Sequence, residues 1–367
     1  MLVFLFQGRQ IGQGGNYKLC AFWCIITYTL VLGLRYDRGY DYLHYVDFYV
    51  HGYEEGSQIV YVFINELLKE VGVGRYYIFV VYSFIEILCA FFFLKRYREY
   101  GNYIIPFFMI STLVFNEYLV RQALGFSFVY LCLDSLFELT QRKHYDSKRV
   151  LLLFKIVICF FVAYSIHSAC GYMLIAMIVL HFLYQKPIPI KISIPSLIFA
   201  TYFFSRWFDF TWLNPILETV AGEDERMSAY VNNSDNWFSI DAVDTERFAR
   251  NEVVLFVEIL GTISLYSLGK KAIEKCFNKR EAYSLYNYFV IGTIALNGVR
   301  TLELLQRMAN NFAMFWFFPL SIVLYHKKQI IKSPMEHVAL LLQIWWMYNY
   351  LKYLFFPGDM TKFLWDM

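Results

Sequence analysis

The sequence returns repeatedly to apolar runs of about 16 to 22 residues, and this recurrence decides the class of fold. At 1.5 Å per residue a helix of that length crosses a hydrocarbon core of roughly 30 Å. Lipid offers no partner to a backbone N–H or C=O, and the runs lack the polar–apolar alternation of a barrel, so helices are the form they take. Composition agrees: 58% of the residues are hydrophobic and only 17% charged, where a soluble domain carries about a quarter charged residues. The expected fold is all-α, a polytopic transmembrane helical bundle of about eleven spans. They are placed at 19–34, 76–94, 103–120, 122–137, 150–166, 168–184, 192–213, 252–269, 281–299, 308–325 and 336–356. Residues 1–367 read as a single integral membrane domain without internal repeat. The run at 19–34 passes straight into charge with no small-residue cleavage site, so it reads as the first span rather than a signal peptide.

Lysine and arginine in alternate connections orient the spans, because short cytoplasmic loops are enriched in both. "KRYREYGN" (95–102), "ELTQRKHYDSKR" (138–149), "QKPIPIK" (185–191), "KKAIEKCFNKR" (270–280) and "HKKQIIK" (326–332) share one side, read as the cytoplasm, with the N-terminus. The other side receives a charged segment at 35–75, the turns "NEYLVRQ" (116–122) and "SIHSACG" (165–171), a longer extracytoplasmic loop at 214–250, and "RTLELLQR" (300–307). Within 35–75, "SQIVYVFINELLKEV" (57–71) is apolar but interrupted by Asn65, Glu66 and Lys69, and reads as a helix lying in the interface. The 214–250 loop carries eight acidic residues against three arginines, a net of −5.

Arg35, Arg38, Arg121, Arg300 and Arg307 fall on the side that disfavours them. A single arginine there can simply snorkel to lipid headgroups. Several together suit a pyrophosphate, because each planar fork gives paired hydrogen bonds to phosphate oxygens and keeps its charge. Arg300, Glu303 and Arg307 share a helical face at i, i+3 and i+7, and Arg121 opens a helix beside Gln122. His167, at an outer helix junction, is either a hydrogen-bonded structural residue or a general base. Asp37 and Asp41 are four apart, which a helical turn would bring together with Tyr45, and Arg38 and Asp41 could pair; a salt-bridged surface turn is the plainer alternative. Tyr36, Tyr40, Tyr42, Tyr45, Tyr49 and Tyr53 form either an interfacial aromatic belt or a platform for sugar rings.

Glu86, Asp134, Lys155 and Glu258 are ionisable groups inside apolar runs, scattered over different helices, and read as structural pairs. The seven cysteines lie mostly within apolar runs, with no pair at metal-ligand spacing, and read as packing residues. There is no Gly-rich phosphate loop, HExxH or GxSxG, so ATP hydrolysis and zinc peptidase chemistry find no support. No metal, cofactor or nucleic acid is expected.

"GLRYDRGYDYLHY", "YEEGSQIVYVFINELL", "NEYLVRQALGFSF", "AYSIHSACGYMLI" and "LLQRMANNFAMFWFFPLSIVL", in that order, resemble the EpsG-type branch of the Wzy-like polysaccharide polymerases over about residues 25 to 325. The resemblance implies a GT-C-like bundle and a glycosyltransferase in the bacterial plasma (inner) membrane with an extracytoplasmic active site. It would join polyprenyl-pyrophosphate-linked oligosaccharide repeat units, without metal and with inversion. Donor and acceptor are both lipid-linked glycans in the bilayer, and a chain-length regulator and a flippase are the protein partners implied. On this reading Arg35, Arg121 and Arg307 clamp the pyrophosphate with Arg38 and Arg300 as secondary contacts. His167 or Asp41 is the base, and Gln122, Tyr45, Tyr40 and Glu303 meet sugar or phosphate oxygens. The acidic 214–250 loop would cover the acceptor. The alternatives are a transporter or flippase for polyprenyl-linked glycans, which usually places its site near the midplane between repeats, and an O-antigen ligase-type transferase of nearly the same chemistry.

Overall fold

Among the described residues every regular element is helical, apart from one isolated two-residue bridge. The computed structural model describes residues 1–39, 41–52, 58–142, 146–204, 252–299, 303–355 and 363–364. These divide into two units, Met1–Phe182 with Asn349–Met367, and Leu183–Tyr348.

In the first unit a short helix α1 (Leu2–Gly12) precedes α2 (Tyr17–Gly33), which Asn16 starts by accepting hydrogen bonds from the Lys18 and Leu19 amides at 3.1 and 3.3 Å. Cys20, Cys24, Tyr28 and Leu32 follow at four-residue spacing and make the buried face of α2. Leu19, Phe22, Trp23 and Leu30 face outward, as lipid contact requires of a helix that is apolar all round. Two shorter helices come next, α3 (Tyr42–His51) and α4 (Ile59–Glu70). Tyr61 and Asn65 are buried on α4 while Ile59, Phe63 and Leu67 are exposed beside Glu66 and Glu70. α4 thus has one buried polar-aromatic face and an exposed face that mixes apolar and acidic residues.

α5 (Ile78–Leu94), a 3₁₀ stretch (Lys95–Tyr100) and α6 (Gly101–Tyr118) form one continuous helical run of 41 residues. It is nonetheless not straight. A Cβ on Gly33 would lie 2.5 Å from the Val80 Cα, and one on Gly39 would lie 2.6 Å from the Glu117 carbonyl oxygen. The six residue steps between those glycines reach about 20 Å at most, whereas a straight helix of 41 residues would be about 60 Å long. The run therefore folds back at the 3₁₀ stretch, where Tyr97 leaves helical geometry with φ −110° and ψ 23°. The 95–102 loop expected from sequence is this helical bend.

α7 (Val120–Gln141), α8 (Ser147–Ile166) and α9 (Ser168–Leu183) complete the unit. Single residues separate α6 from α7 (Leu119) and α8 from α9 (His167). α8 exposes Val150, Leu151, Phe154, Val157, Ile158 and Phe161 along one apolar stripe. At the end of the bundle away from residues 33–39, Arg96 donates from Nε to the Asp134 carboxylate at 2.9 Å and from Nη2 to its carbonyl at 2.8 Å. Asp134, a charge inside an apolar run, is thus paired.

The second unit holds α10 (Ile190–Phe199) with a π turn (Ala200–Phe204), α11 (Glu252–Cys276), α12 (Arg280–Gly298), α13 (Glu303–Ala313), a 3₁₀ turn (Met314–Trp316) and α14 (Phe317–Tyr325). α15 (Lys327–Ile330) and α16 (Pro334–Phe355) follow. The expected span 308–325 begins earlier, since a 21-residue apolar stretch runs Leu305–Tyr325 and takes in Arg307. Of the expected span 192–213, residues 205–213 lie outside the described residues, as does the whole 214–250 loop. Asn287 holds the "QKPIPIK" loop by accepting from the Ile188 amide at 2.8 Å and donating to the Lys186 carbonyl at 3.0 Å. Five described helical runs are long and apolar enough to cross a membrane, and α2, α9 and α10 with its π turn are shorter apolar helices. The chain is an all-α, multi-pass membrane protein.

Candidate functional site

The loop after α2 turns sharply and carries two arginines. Arg35 is 1% exposed; its Nη1 donates to the Leu32 carbonyl at 2.6 Å, and its guanidinium carbon lies 4.9 Å from the Phe79 ring centroid and 6.0 Å from that of Tyr42. Nε and Nη2 have no hydrogen-bond partner among the described residues. Burial pulls the group below its ordinary pKa, against the pull of Glu86 and Glu117 in the other direction. Two unused donors on a buried cation are costly, and an anion is what would satisfy them.

Asp37 has φ +48° and Gly39 φ +97°. Gly39 is the only residue type that fits there, since any Cβ would strike the Glu117 carbonyl. The left-handed bends rule out the helical turn expected to bring Asp37 and Asp41 together. Asp41 is the N-cap residue of α3, without a side-chain capping bond. Arg38, expected to pair with Asp41, instead meets Glu117 at the end of α6, Nε to Oε1 2.6 Å.

The second part of the site is the start of α7. Arg121, in its first turn, donates from Nη1 to the Gln58 side-chain oxygen at the head of α4, and its guanidinium lies 5.9 Å from the Tyr61 ring centroid. Gln122 is buried and its carbonyl accepts the Cys170 thiol at 3.3 Å. One turn on, a Cβ at Gly125 would lie 3.0 Å from Cys170 Sγ, 3.3 Å from the Ala163 carbonyl and 3.4 Å from His167 Cβ. The glycine lets the α8–α9 junction press against α7, which brings His167 against Gly125, one turn beyond Arg121. His167 has extended backbone (φ −155°, ψ 109°); its amide closes α8 on the Ala163 carbonyl at 3.0 Å and its carbonyl receives the Cys170 amide at 2.8 Å.

Beneath these groups Asn116 donates to the Tyr28 hydroxyl, which donates to Glu86 Oε2 at 3.5 Å. Glu86 and Asn116, with Ser127 and Tyr130, line an enclosed cavity of about 10 Å³, enough for about one water molecule.

The tyrosines divide differently from either expectation. Tyr42, Tyr45, Tyr49, Tyr61 and Tyr82 are buried in one cluster with Ile78, Phe79, Val120, Leu124 and Ile166. Tyr42 stacks on Phe79 at 4.3 Å and Tyr49 donates to the Val73 carbonyl at 2.7 Å. Tyr45, expected to meet sugar, is 6% exposed and packs edge-on to Tyr61, so it supports the site from within the core. Tyr40 and Arg300 lie outside the described residues. Glu303 opens α13, and Arg307 sits half-buried one turn later with its carbonyl accepting Asn311 Nδ2 at 3.0 Å. Sequence reasoning missed Glu117, Gln58 and the Glu86–Tyr28–Asn116 chain. Glu117 was findable, being an acid in "NEYLVRQ" on the same side as two unexplained arginines.

The fold defines a class, that of all-α multi-pass membrane proteins, and the first unit gathers arginine, glutamine and histidine at one end. The chain belongs to the EpsG family, whose model matches residues 18–364. In general terms that makes it a Wzy-like polysaccharide polymerase of the membrane. No curated protein and no solved structure matches the chain.

Proposed function

We propose that the protein is a glycosyltransferase that polymerises polyprenyl-pyrophosphate-linked oligosaccharide repeat units at the extracytoplasmic face of the bacterial plasma membrane. The observation that carries this reading is the packing of the α8–α9 junction, at His167 and Cys170, against α7 at Gln122 and Gly125, in a chain of the EpsG family. The acceptor hydroxyl of one lipid-linked repeat unit attacks the anomeric carbon of another. The C–O bond to pyrophosphate breaks with inversion, polyprenyl pyrophosphate leaves, and the hydroxyl proton passes to a base. The place of His167 against α7, one turn beyond Arg121, supports it as that base rather than Asp41, the N-cap residue of α3. Arg35 and Arg121 hold the pyrophosphate, with Arg38 as a further contact, and stabilise charge as it develops on the leaving group. Gln122, next to Arg121, orients sugar or phosphate oxygens. Because arginines supply the positive charge, the mechanism requires no divalent metal.

Purified protein incubated with lipid-linked repeat units tests the reading by gel. A ladder of products identifies a polymerase, one larger product a ligase-type transferase. Unchanged substrate would point to transport and overturn the proposal.

A further inference from the structure

The first unit contains a contact that the polymerase reading does not use. Phe363 forms an isolated antiparallel bridge with Arg35, and the Leu364 amide donates to the Leu34 carbonyl at 3.0 Å. The same Phe363 places its ring centroid 5.3 Å from the Arg38 guanidinium carbon, whose Nε is held by Glu117 at 2.6 Å. Residues from the far end of the chain thus grip the arginine loop twice, once through its backbone and once through a guanidinium face.

We propose that Phe363 and Leu364 are a strap that completes the anion site, with Phe363 a positioning residue for Arg38. This rests on the pyrophosphate reading of the loop. A free arginine side chain samples many rotamers, and each must be frozen before it can make paired bonds to phosphate. Here the Phe363 ring lies over the guanidinium and the Glu117 carboxylate pairs with it, so fewer orientations are left to the side chain. The bridge at Arg35 holds the backbone between the two arginines at the same time. The ligand class is a pyrophosphate ester, because the strap orders the two cations of one short loop.

Two measurements test this, neither of which depends on polymerisation. Cysteines at Leu34 and Leu364, directly opposite in the bridge register, should form a disulfide on mild oxidation, read as a linked peptide by mass spectrometry; a pair that stays reduced overturns the docked strap. Binding of polyprenyl pyrophosphate in detergent micelles should weaken about five- to thirty-fold in Phe363→Leu, which keeps apolar bulk but loses the π face, and should be retained in Phe363→Trp. Wild-type affinity in Phe363→Leu, or equal weakening in both variants at matched folded yield, overturns the positioning role. Failure of the polymerase reading looks different, since intact pyrophosphate binding would then accompany an absent product ladder.

Discussion

Arg35 and Arg121 occupy opposite regimes of burial, and the same substitution should not affect them alike. Arg35 is sealed over Phe79 with two donors unused, while Arg121 is half-buried and fixed by Gln58 and the Tyr61 ring. If Arg121 grips pyrophosphate with a bidentate fork, a point charge cannot replace it. Arg121→Lys keeps charge and helix propensity, yet product formation should fall on the order of a hundredfold or more, the equivalent of about 3 to 4 kcal/mol in the transition state. The measurement is rate and chain length at matched expression and folded yield. Near-normal polymerisation would assign Arg121 to headgroup contact, for which lysine serves equally well. At this scale the sequence was only half readable. It showed which arginines stood on the wrong side, but their partners come from helices far apart in the chain. Arg38 finds Glu117 rather than Asp41 because Asp37 and Gly39 take left-handed bends that residue spacing does not reveal.

The helices were more legible than the contacts, because a run of apolar residues long enough to cross lipid has no other way to bond its backbone. The expected spans 76–94, 150–166, 168–184 and 281–299 match α5, α8, α9 and α12 to within a few residues. The segment 57–71, expected to lie in the interface, is the helix α4. Two elements escaped. α1 is an 11-residue helix, too short to register as a span, and α3 is so rich in tyrosine and charge that it resembles a loop, although its tyrosines build the core beneath the site. On the proposed reading the junctions carry the chemistry, and Gly125 is where the α8–α9 junction presses on α7. A large side chain there would separate α7 from the α8–α9 break and move His167. Gly125→Leu should therefore reach the membrane yet form product about a hundredfold more slowly, as expected for a base displaced by about an ångström. Gly125→Ala, 3.0 Å from a thiol that can shift, should retain most activity. Equal activity in the leucine variant would remove His167 from the reaction.

For the molecule as a whole, sidedness and metal dependence are the properties to settle. In the first unit Arg96 and Asp134 lie at the opposite end from Arg35 and Arg121, as alternate loops with and without lysine and arginine would place them. Cysteine introduced at Ser234 should react with an impermeant thiol reagent on intact cells or spheroplasts, and cysteine at Ser147, in "HYDSKR", should not. Labelling at Ser147 alone would invert the topology. Activity on lipid-linked substrate should survive EDTA; loss restored by magnesium or manganese would make Asp37 and Asp41 ligand candidates. The strap escaped prediction altogether, because the pairing of Leu34 with Leu364 leaves no periodic trace in sequence. It also imposes an order in time. Leu364 is translated 330 residues after Leu34 (364 − 34), so at about 5 to 20 residues per second the arginine loop waits roughly 16 to 66 s for its partner. Throughout that interval the nascent chain is already threaded into a bilayer containing lipid-linked sugars. The chain has to be extended as far as Leu364 before the loop is braced, so on the proposed reading a copy that has not reached that point neither grips pyrophosphate well nor occupies carriers that a braced copy would use.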